Sequence, residues 1–433
     1  MNPNAHAAIR RNRVQQGLDG IIIILPMIAF FFPLDVFFAV GASACLIMVL
    51  QVKTFWRALL YRGSYWFLLF TALLTGLSVW QNNLLGLMAC GFLWLIVIYF
   101  TYLRAVMTPL ILEVLTWIVG LGSLVSLYFT TVDFYGPNTV ALYSFFMTYI
   151  PLGFSFISGI AGDPNPASTF ISSNFYGHLS AVLALISVAM VAEALRTFHQ
   201  KRIFNSIKIL VFALSLGVNL VALDLTLSWS AHLGLVAGIA VFALVWDWRW
   251  FVGVSLGIVV LAVIQKQWII DFFPPLDDWG SSAAYRFKLY RVAFLEVLKY
   301  PWLGRGLYTF PTIYDAYETG YQVHSHNLVL EFLLSSGLGG VLIFGMYIKA
   351  VIGKVVQQWR RKGHPRMALV VGLMALELAN GLTDAVIVFP QSFVLFCLVL
   401  LLAESSTEVE DIRLDHVSHP SAQNDAFGHG TTA

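Results

Sequence analysis

The sequence predicts an all-α polytopic membrane protein with about twelve transmembrane helices and one large loop on the outer side of the membrane. Of the 433 residues, 59% are hydrophobic and 11% are charged, whereas soluble domains carry roughly 25% charged residues. The apolar residues form blocks of about 17 to 25, which suits helices that cross the hydrocarbon core of a bilayer. Such blocks are too long for barrel strands, so helices remain as the structure that satisfies the backbone in lipid.

Each apolar block is nearly free of charged residues. This is expected of a membrane span, because a charge near the middle of a bilayer is costly. The predicted spans are 18–33, 34–52, 64–80, 84–103, 109–131, 174–195, 206–223, 228–246, 250–264, 326–353, 366–384 and 387–403.

Lysine and arginine collect in alternate connections between these spans, whereas the short connections between them are nearly free of positive charge. Positively charged connections stay in the cytoplasm. We therefore predict that both termini face the cytoplasm. The basic connections contain Arg10, Arg11, Arg13, Lys53, Arg57, Arg62, Arg104, Arg196, Lys201, Arg202, Arg249, Lys354, Arg360, Arg361, Lys362 and Arg366.

This alternation of basic and uncharged connections places two long segments, 132–173 and 265–325, on the outer side. The stretch 139–160 in the first is long enough to span, but counting it would reverse the charge pattern downstream, so we expect a re-entrant or interfacial element. Loops as long as the second segment are usually functional. The polar tail, 404–433, is expected to be disordered in the cytoplasm. The remaining parts are the N-terminal helices 1–131, the central helices 174–264 and the C-terminal helices 326–403.

An amphipathic helix is predicted in the second outer segment, from Ser282 to Lys299. At helical spacing Arg286 and Tyr290 share one face, and Lys288 and Arg291 lie side by side on the next. Several cations then stand where the topology does not favour them, and a bound anion would explain their presence. The alternative is an interfacial helix whose cations reach lipid headgroups.

The motif His-Ser-His-Asn at 324–327 stands immediately before the next apolar block, and Glu331 follows one turn inside it. A span that starts here directs its free N–H groups and positive dipole end outwards, which suits a phosphate and disfavours a protonated histidine. A neutral His326 or His324 could then act as a general base towards a hydroxyl. The alternative is that Ser325 or Asn327 simply caps the helix.

Glu377, Asn380 and Asp384 form a polar face within a predicted span, at positions i, i+3 and i+7. Ionisable residues in spans are costly and usually have a function. They could pair with the loop arginines or line a cavity for an acceptor. Hydrogen bonds between helices that fix their packing are an equally good explanation.

Together these features resemble the O-antigen ligase and polymerase superfamily of membrane glycosyltransferases. Members carry an arginine, an aromatic residue about four positions later, a Pro-x-x-Gly-x-Gly turn, and a His-Asn motif followed by Gly-x-x-Gly. A segment with an asparagine precedes a central span. The matching residues here are Arg286, Tyr290, Pro301, Gly304, Gly306, His326, Asn327, Glu331, Gly337, Gly340 and Asn174.

The resemblance implies a GT-C-like membrane enzyme at the periplasmic face of a bacterial inner membrane. It would move a glycan from undecaprenyl pyrophosphate to an acceptor hydroxyl, on the lipid A core or another glycan, with inversion. The expected catalytic residues are His326, His324 and Glu331. The expected pyrophosphate-binding residues are Arg286, Arg291 and Arg305, and the expected acceptor-binding or supporting residues are Asn174, Tyr290, Asn327 and Asp384.

One position departs from the family. Where members often carry Thr-x-Ser-Arg at the outer start of a span, this chain has Trp229 in place of the arginine. Arg291, Arg305 or His232 could supply the missing charge. The replacement favours a polymerase or a ligase for another acceptor, whereas the large loop and the His-Asn motif favour a ligase for the lipid A core.

The sequence predicts neither a cofactor nor a metal site. Asp277 and Asp278 are adjacent rather than spaced as a metal-binding Asp-x-Asp pair, and arginine can neutralise phosphate, so transfer is expected to be metal-independent. The expected partners are the lipid-linked donor, the acceptor and the bilayer, with no nucleic acid. A transporter that uses the Glu377 face, or a membrane scaffold, remains an alternative of another class.

Overall fold

The structure is a computed structural model of the whole chain. It describes residues 13–32, 34–60, 63–135, 173–253, 255–256, 282–317, 322–359, 365–386 and 392–401. The predicted re-entrant element at 139–160, the tail 404–433 and the start of the second outer segment lie outside the described residues.

The described residues are helical, as the composition predicts. The amphipathic helix predicted from Ser282 to Lys299 is confirmed. The helices are α1 (Arg13–Ala29), α2 (Leu34–Leu50), α3 (Val52–Leu59), α4 (Ser64–Trp80), α5 (Leu84–Val106), α6 (Pro109–Tyr135), α7 (Ser173–Arg196), α8 (Arg202–Thr226), α9 (Trp229–Trp246), α10 (Ser282–Lys299), α11 (Phe310–Ile313), α12 (Leu328–Trp359), α13 (Pro365–Gly381) and α14 (Ser392–Leu401).

Six of the described helices are long and apolar enough to cross a membrane, and the bent pair α2 and α3 makes a seventh if it is counted as one span. Four shorter apolar helices lie in α1, α4, α13 and α14. The protein is therefore a multi-pass membrane protein. The count of twelve spans, the outward position of the loops and the orientation of the termini stay predictions.

One predicted span is followed at once by a second helix, and another ends earlier than predicted. The span predicted at 34–52 is followed at once by α3, which lies at 95° to α2. The span predicted at 366–384 ends earlier, because α13 stops at Gly381 and Asp384 lies in the turn that follows. The hydropathy of the sequence does not show where α13 ends, because the residues beyond Gly381 remain largely apolar.

Helix α7 lies at the centre of the bundle, since 78% of its most apolar stretch is buried, compared with 33% for α8. Beside it, α9 and α13 cross closely at glycines. A Cβ added to Gly234 would lie 3.1 Å from the carbonyl oxygen of Leu376, and one added to Gly372 would lie 2.8 Å from that of Gly238. Small residues let the backbones of membrane helices approach in this way.

At one end of the bundle, a buried ion cluster joins three helices. Lys208 of α8 is 4% exposed, and its Nζ lies 3.3 Å from Glu113 Oε1 and 3.6 Å from Glu193 Oε2. The opposite end carries the loop before α12, the turn after α13 and the start of α5. We call it the site end.

Candidate active site

The loop before α12 is shaped by its own side chains. Asn327 caps the helix, since its Oδ1 accepts a hydrogen bond from the backbone N–H of Leu330 at 3.0 Å. Glu331 reaches back, and its Oε2 accepts a hydrogen bond from the backbone N–H of Ser325 at 2.7 Å. Such reciprocal capping is typical of helix starts. The loop therefore has a defined shape, in which His326 adopts a left-handed φ of 54°.

His324 and His326 meet Asp384 in this loop. Asp384 Oδ1 lies 3.6 Å from His324 Nε2 and 3.4 Å from His326 Nδ1, and the two imidazole rings have centroids 4.3 Å apart. Asp384 is 2% exposed, whereas 20% of the His326 side chain is exposed. Asp384 Oδ1 also accepts a hydrogen bond from the backbone N–H of Ala385 at 2.8 Å. The cluster therefore has a buried carboxylate and one accessible imidazole.

Burial lowers the pKa of His324 to about 4; Asp384 opposes this shift, while His326 and Arg286 add to it. His324 is therefore neutral at pH 7. Its Nδ1 accepts a hydrogen bond from the backbone N–H of His326 at 3.1 Å, so its ring proton is on Nε2, towards Asp384.

The carboxyl of Asp384 is charged at pH 7. Burial raises its pKa, but His326 and His324 together outweigh burial, and the pKa lies below its ordinary value. A carboxylate beside Nδ1 of His326 favours a proton on that nitrogen, which leaves a lone pair on Nε2. His326 thus has the arrangement of a general base held in position by an acid.

An arginine without a protein partner stands beside this cluster. Arg286 is half-buried on α10, and it makes no hydrogen bond or ion pair with the residues that the structure describes. Its charge acts on His324 and on Tyr290, one turn further along the helix. The hydroxyl of Tyr290 donates to the carbonyl of Leu382 at 2.9 Å, which holds α10 against the turn that carries Asp384. A free guanidinium here is suited to an anionic ligand.

The other two predicted phosphate-binding arginines differ from Arg286. Arg305 Nη1 donates to Glu296 Oε2 at 2.6 Å, and Arg305 Cζ lies 5.0 Å from the centroid of the Tyr300 ring. Burial raises the pKa of Glu296, but the hydrogen bonds from Lys299 and other donors outweigh burial and lower it. Arg305 is thus paired with a charged carboxylate. Arg291 is exposed and makes no ion pair within the described part of the chain.

Other predicted residues lie away from the cluster. Asn174 is near the start of α7, and no hydrogen bond among the described residues joins it to the histidines. Both oxygens of Glu377 face His178 Nε2, at 3.1 and 3.0 Å. Asn380 packs against Gly234. Of the predicted polar face, Asp384 is the member that reaches the histidines.

Trp229 lies on the outside of α9. It is 38% exposed and shares a stripe with Leu233 and Val236, which are also exposed. His232 Nδ1 donates to the carbonyl of Ser228 at 2.8 Å. A replacement for the family arginine at this place stays a prediction.

An apolar cavity of about 500 Å³ opens directly below the histidine loop. Leu328, the first residue of α12, lines its top, and Phe344 and Phe393 line its deeper part. Exposed side chains, Val329 and Leu378, are also part of the wall, so the cavity borders the lipid-facing surface. Its other walls come from α4, α5 and the loop residue Leu307. The cavity has the character of a site for a hydrocarbon chain.

Sequence reasoning missed Gln322, which approaches the accessible nitrogen of His326. Its Nε2 donates to the hydroxyl of Tyr285 at 2.9 Å, and its Oε1 lies 3.4 Å from His326 Nε2. An amide oxygen only accepts, so Gln322 competes with Asp384 for the ring proton of His326, and the base form is the one in which that proton lies on Nδ1. The polar side chain of Gln322 two residues before the histidine motif is the available signal. Glu296, which pairs with Arg305, was also missed because no spacing rule links a helix to the turn beyond it.

The site joins an unpaired arginine to a His326–Asp384 cluster within a helical membrane bundle. Comparison with known families gives the class of protein that carries it, and the protein is a membrane glycosyltransferase. Residues 210–345, from α8 into α12, match the model of the O-antigen ligase family, so the chain carries an O-antigen ligase domain. A comparison with curated proteins finds no match.

Proposed function

We propose that this protein transfers a glycan from undecaprenyl pyrophosphate to an acceptor hydroxyl at the periplasmic face of the bacterial inner membrane, in lipopolysaccharide biosynthesis. The observation that carries the proposal is the position of His326. Its Nδ1 lies 3.4 Å from the carboxylate of Asp384, and the apolar cavity begins two residues later at Leu328. The neighbouring His324 feels the charge of the unpaired Arg286.

His326 acts as the general base. Its Nε2 takes the proton of the acceptor hydroxyl, and the hydroxyl oxygen attacks the anomeric carbon of the donor glycan. A glycosidic C–O bond forms while the C–O bond to the pyrophosphate breaks, and the lipid pyrophosphate leaves with the bonding electrons. Direct displacement inverts the anomeric carbon. Asp384 stabilises the imidazolium that forms.

The donor is held at both of its ends. Arg286, assisted by the exposed Arg291, neutralises the pyrophosphate as charge develops on it. The isoprenoid chain enters the apolar cavity, whose top lies two residues beyond His326 in the chain. Arg305 supports this arrangement through its pair with Glu296. Glu331, which was predicted to be catalytic, contributes by holding the histidine loop.

Transfer is proposed to need no metal ion. His324, His326 and Asp384 bring donor atoms within 4.8 Å of one another, a spacing that a cation could use. His324 Nδ1, however, accepts a hydrogen bond from the backbone N–H of His326, so the ring proton of His324 is on its Nε2. The Nε2 of His324 therefore offers no lone pair to a metal ion. Metal-bound histidines have the opposite arrangement, in which the nitrogen away from the metal donates.

The test is transfer by purified protein in liposomes that contain undecaprenyl pyrophosphate-linked glycan and a lipid A core acceptor, with chelator present. His326→Ala should lower turnover by about 100-fold or more, the scale of general base catalysis. His199→Ala, on an exposed histidine at the opposite end of the bundle, should not. Transfer at the wild-type rate by His326→Ala would exclude the assigned role.

A repeat-unit polymerase is the alternative within this class, and Trp229 in place of the family arginine is the observation that favours it. Deletion of the gene distinguishes the two. A ligase deletion leaves carrier-linked polymer that does not reach lipopolysaccharide, whereas a polymerase deletion leaves single repeats. Accumulation of neither carrier-linked polymer nor single repeats would favour a transporter or scaffold.

A further inference from the structure

The loop between α10 and α11 enters a break in α12. Gly337 has φ 60° and ψ −173°, a conformation essentially confined to glycine, and it interrupts the helix. The turn at 301–306 lies against this break. A Cβ added to Gly337 would lie 2.5 Å from the backbone nitrogen of Leu303, and one added to Gly304 would lie 2.7 Å from the nitrogen of Gly337.

The break and the turn satisfy each other's backbone groups. In a continuous helix, Leu338 N would bond to Leu334 O, and Gly339 N would bond to Ser335 O. Here those carbonyls accept from the turn, Leu334 O from Arg305 N and Ser335 O from the N–H of residue 306, each at 2.8 Å. The freed N–H groups donate back to carbonyls of the turn, at residues 301 and 302, also at 2.8 Å. We call this pairing of 301–306 with 334–339 the clasp.

The clasp lies within the part of α12 that is long and apolar enough to cross a membrane. Leu334 is six residues after the start of the helix, which is roughly 9 Å along its axis at 1.5 Å per residue. Non-helical backbone at such depth is tolerated only where the protein satisfies it. The four hydrogen bonds meet that condition.

The N-terminal half of the chain holds the clasp from the other side. The side-chain amide of Asn83, at the start of α5, donates to the carbonyls of Leu307 at 2.7 Å and Tyr308 at 3.1 Å. Its Oδ1 accepts from Gly86 N at 2.9 Å and so caps α5. Ser78 packs closely on the turn at residue 306. The site is thus joined to α4 and α5 through this loop.

We propose that the clasp is the positioning element of the transfer site, and that Gly337 and Asn83 are positioning residues. It ties the end of α10 to α12, and α10 packs on the first half of α12 through Leu289, Val292 and Leu334. The clasp therefore sets where Arg286 stands relative to His326. This inference rests on the proposed function for its catalytic meaning.

The test compares Gly337→Ala with Gly345→Ala in full-length protein. A Cβ at Gly345, on the same helix, meets nothing within 4 Å. Gly337→Ala should lower kcat by about 100-fold, the cost of a displacement of about 1 Å between reacting groups. Binding of undecaprenyl pyrophosphate should change less than about threefold, because Arg286 remains on α10. Gly345→Ala should match the wild type.

A second variant separates positioning from capping. Asn83→Asp keeps an oxygen for the N–H of Gly86 but loses both donors to the loop, so it should lower kcat while α5 stays folded. The proposal is overturned if either variant lowers kcat and the binding of undecaprenyl pyrophosphate by the same factor. It is also overturned if either variant lowers neither quantity.

Spin labels test the clasp without any glycan. The labels are attached to Phe294→Cys on α10 and Val329→Cys on α12, both exposed positions. The distance between them should have a narrow distribution in the otherwise unchanged protein. The native cysteines are buried and should not be labelled. Gly337→Ala should broaden or shift it. An unchanged distribution would overturn the proposal. If wild-type protein transfers no glycan, the proposed function fails while this distance test still decides the geometry.

Discussion

Asp384 is the residue on which the histidine cluster depends. It is the carboxylate within 3.4 Å of His326 Nδ1, and it lies in a turn almost sixty residues further along the chain. The turn is held by the hydrogen bond from Tyr290 to the carbonyl of Leu382. The negative charge therefore reaches His326 only because α10, α12 and α13 meet at the site end.

Asp384→Asn should lower kcat for transfer by about 100-fold or more, because His326 loses the carboxylate that holds its ring proton on Nδ1 and stabilises the imidazolium formed during transfer. The donor KM should change little, since Arg286 is untouched. Asp224→Asn is the control, an exposed aspartate at the site end of α8. Steady-state kinetics at varied donor concentration measure both quantities. Equal kcat in the Asp384 variant and the wild type would contradict the prediction.

His324 gives the folded protein a pH dependence. Its pKa falls from 6.5 to about 4 on folding, so between these values the unfolded chain binds more protons. The free energy of unfolding then falls as the pH drops from 6.5 to 4, by about 3 kcal/mol. Thermal unfolding in detergent between pH 7 and pH 4 measures this. His324→Gln should show a smaller decrease, and an identical decrease would count against the assignment.

At the scale of helices, the α9–α13 crossing is set by glycines. Gly372→Ala would place a Cβ 2.8 Å from the carbonyl oxygen of Gly238, and a backbone atom cannot yield as a side chain does. We expect a loss of about 1–3 kcal/mol in the free energy of unfolding, the usual cost of overpacking. Thermal unfolding in detergent is the measurement.

The matched control is Gly217→Ala on α8, where an added Cβ meets nothing within 4 Å. Alanine favours the helix over glycine by about 1 kcal/mol, so this variant should be neutral or slightly stabilised. Equal stability of the two variants would show that the close crossing does not limit packing.

The glycines of the broken helix have a different function. The Gly-x-x-Gly pattern at 337–340 and the Pro-x-x-Gly-x-Gly turn are visible in the sequence as two separate motifs. The structure pairs them, because each supplies the backbone groups that the other lacks. A pattern of glycines tells where the backbone is unusual but not which backbone it meets.

For the whole molecule, the positive-inside pattern predicts which end faces which compartment. Asp315 is exposed at the site end, and Gln200 is exposed at the opposite end. Asp315→Cys should react with a membrane-impermeant maleimide in intact spheroplasts, and Gln200→Cys should react only after permeabilisation. The native cysteines are buried and should not interfere. The reverse labelling pattern would invert the predicted topology.

The sequence by itself determined the all-helical membrane class, the amphipathic helix with Arg286 and the start of a helix directly after the histidine motif. These follow from composition, from helical period and from residues a few positions apart. Only the tertiary structure decided that Asp384 meets the histidines, that Arg305 is paired with Glu296, and that Glu377 turns to His178. Each of these contacts joins different helices or a helix to a loop. Hydropathy cannot specify them, because it records how apolar a segment is and not which neighbour it packs against.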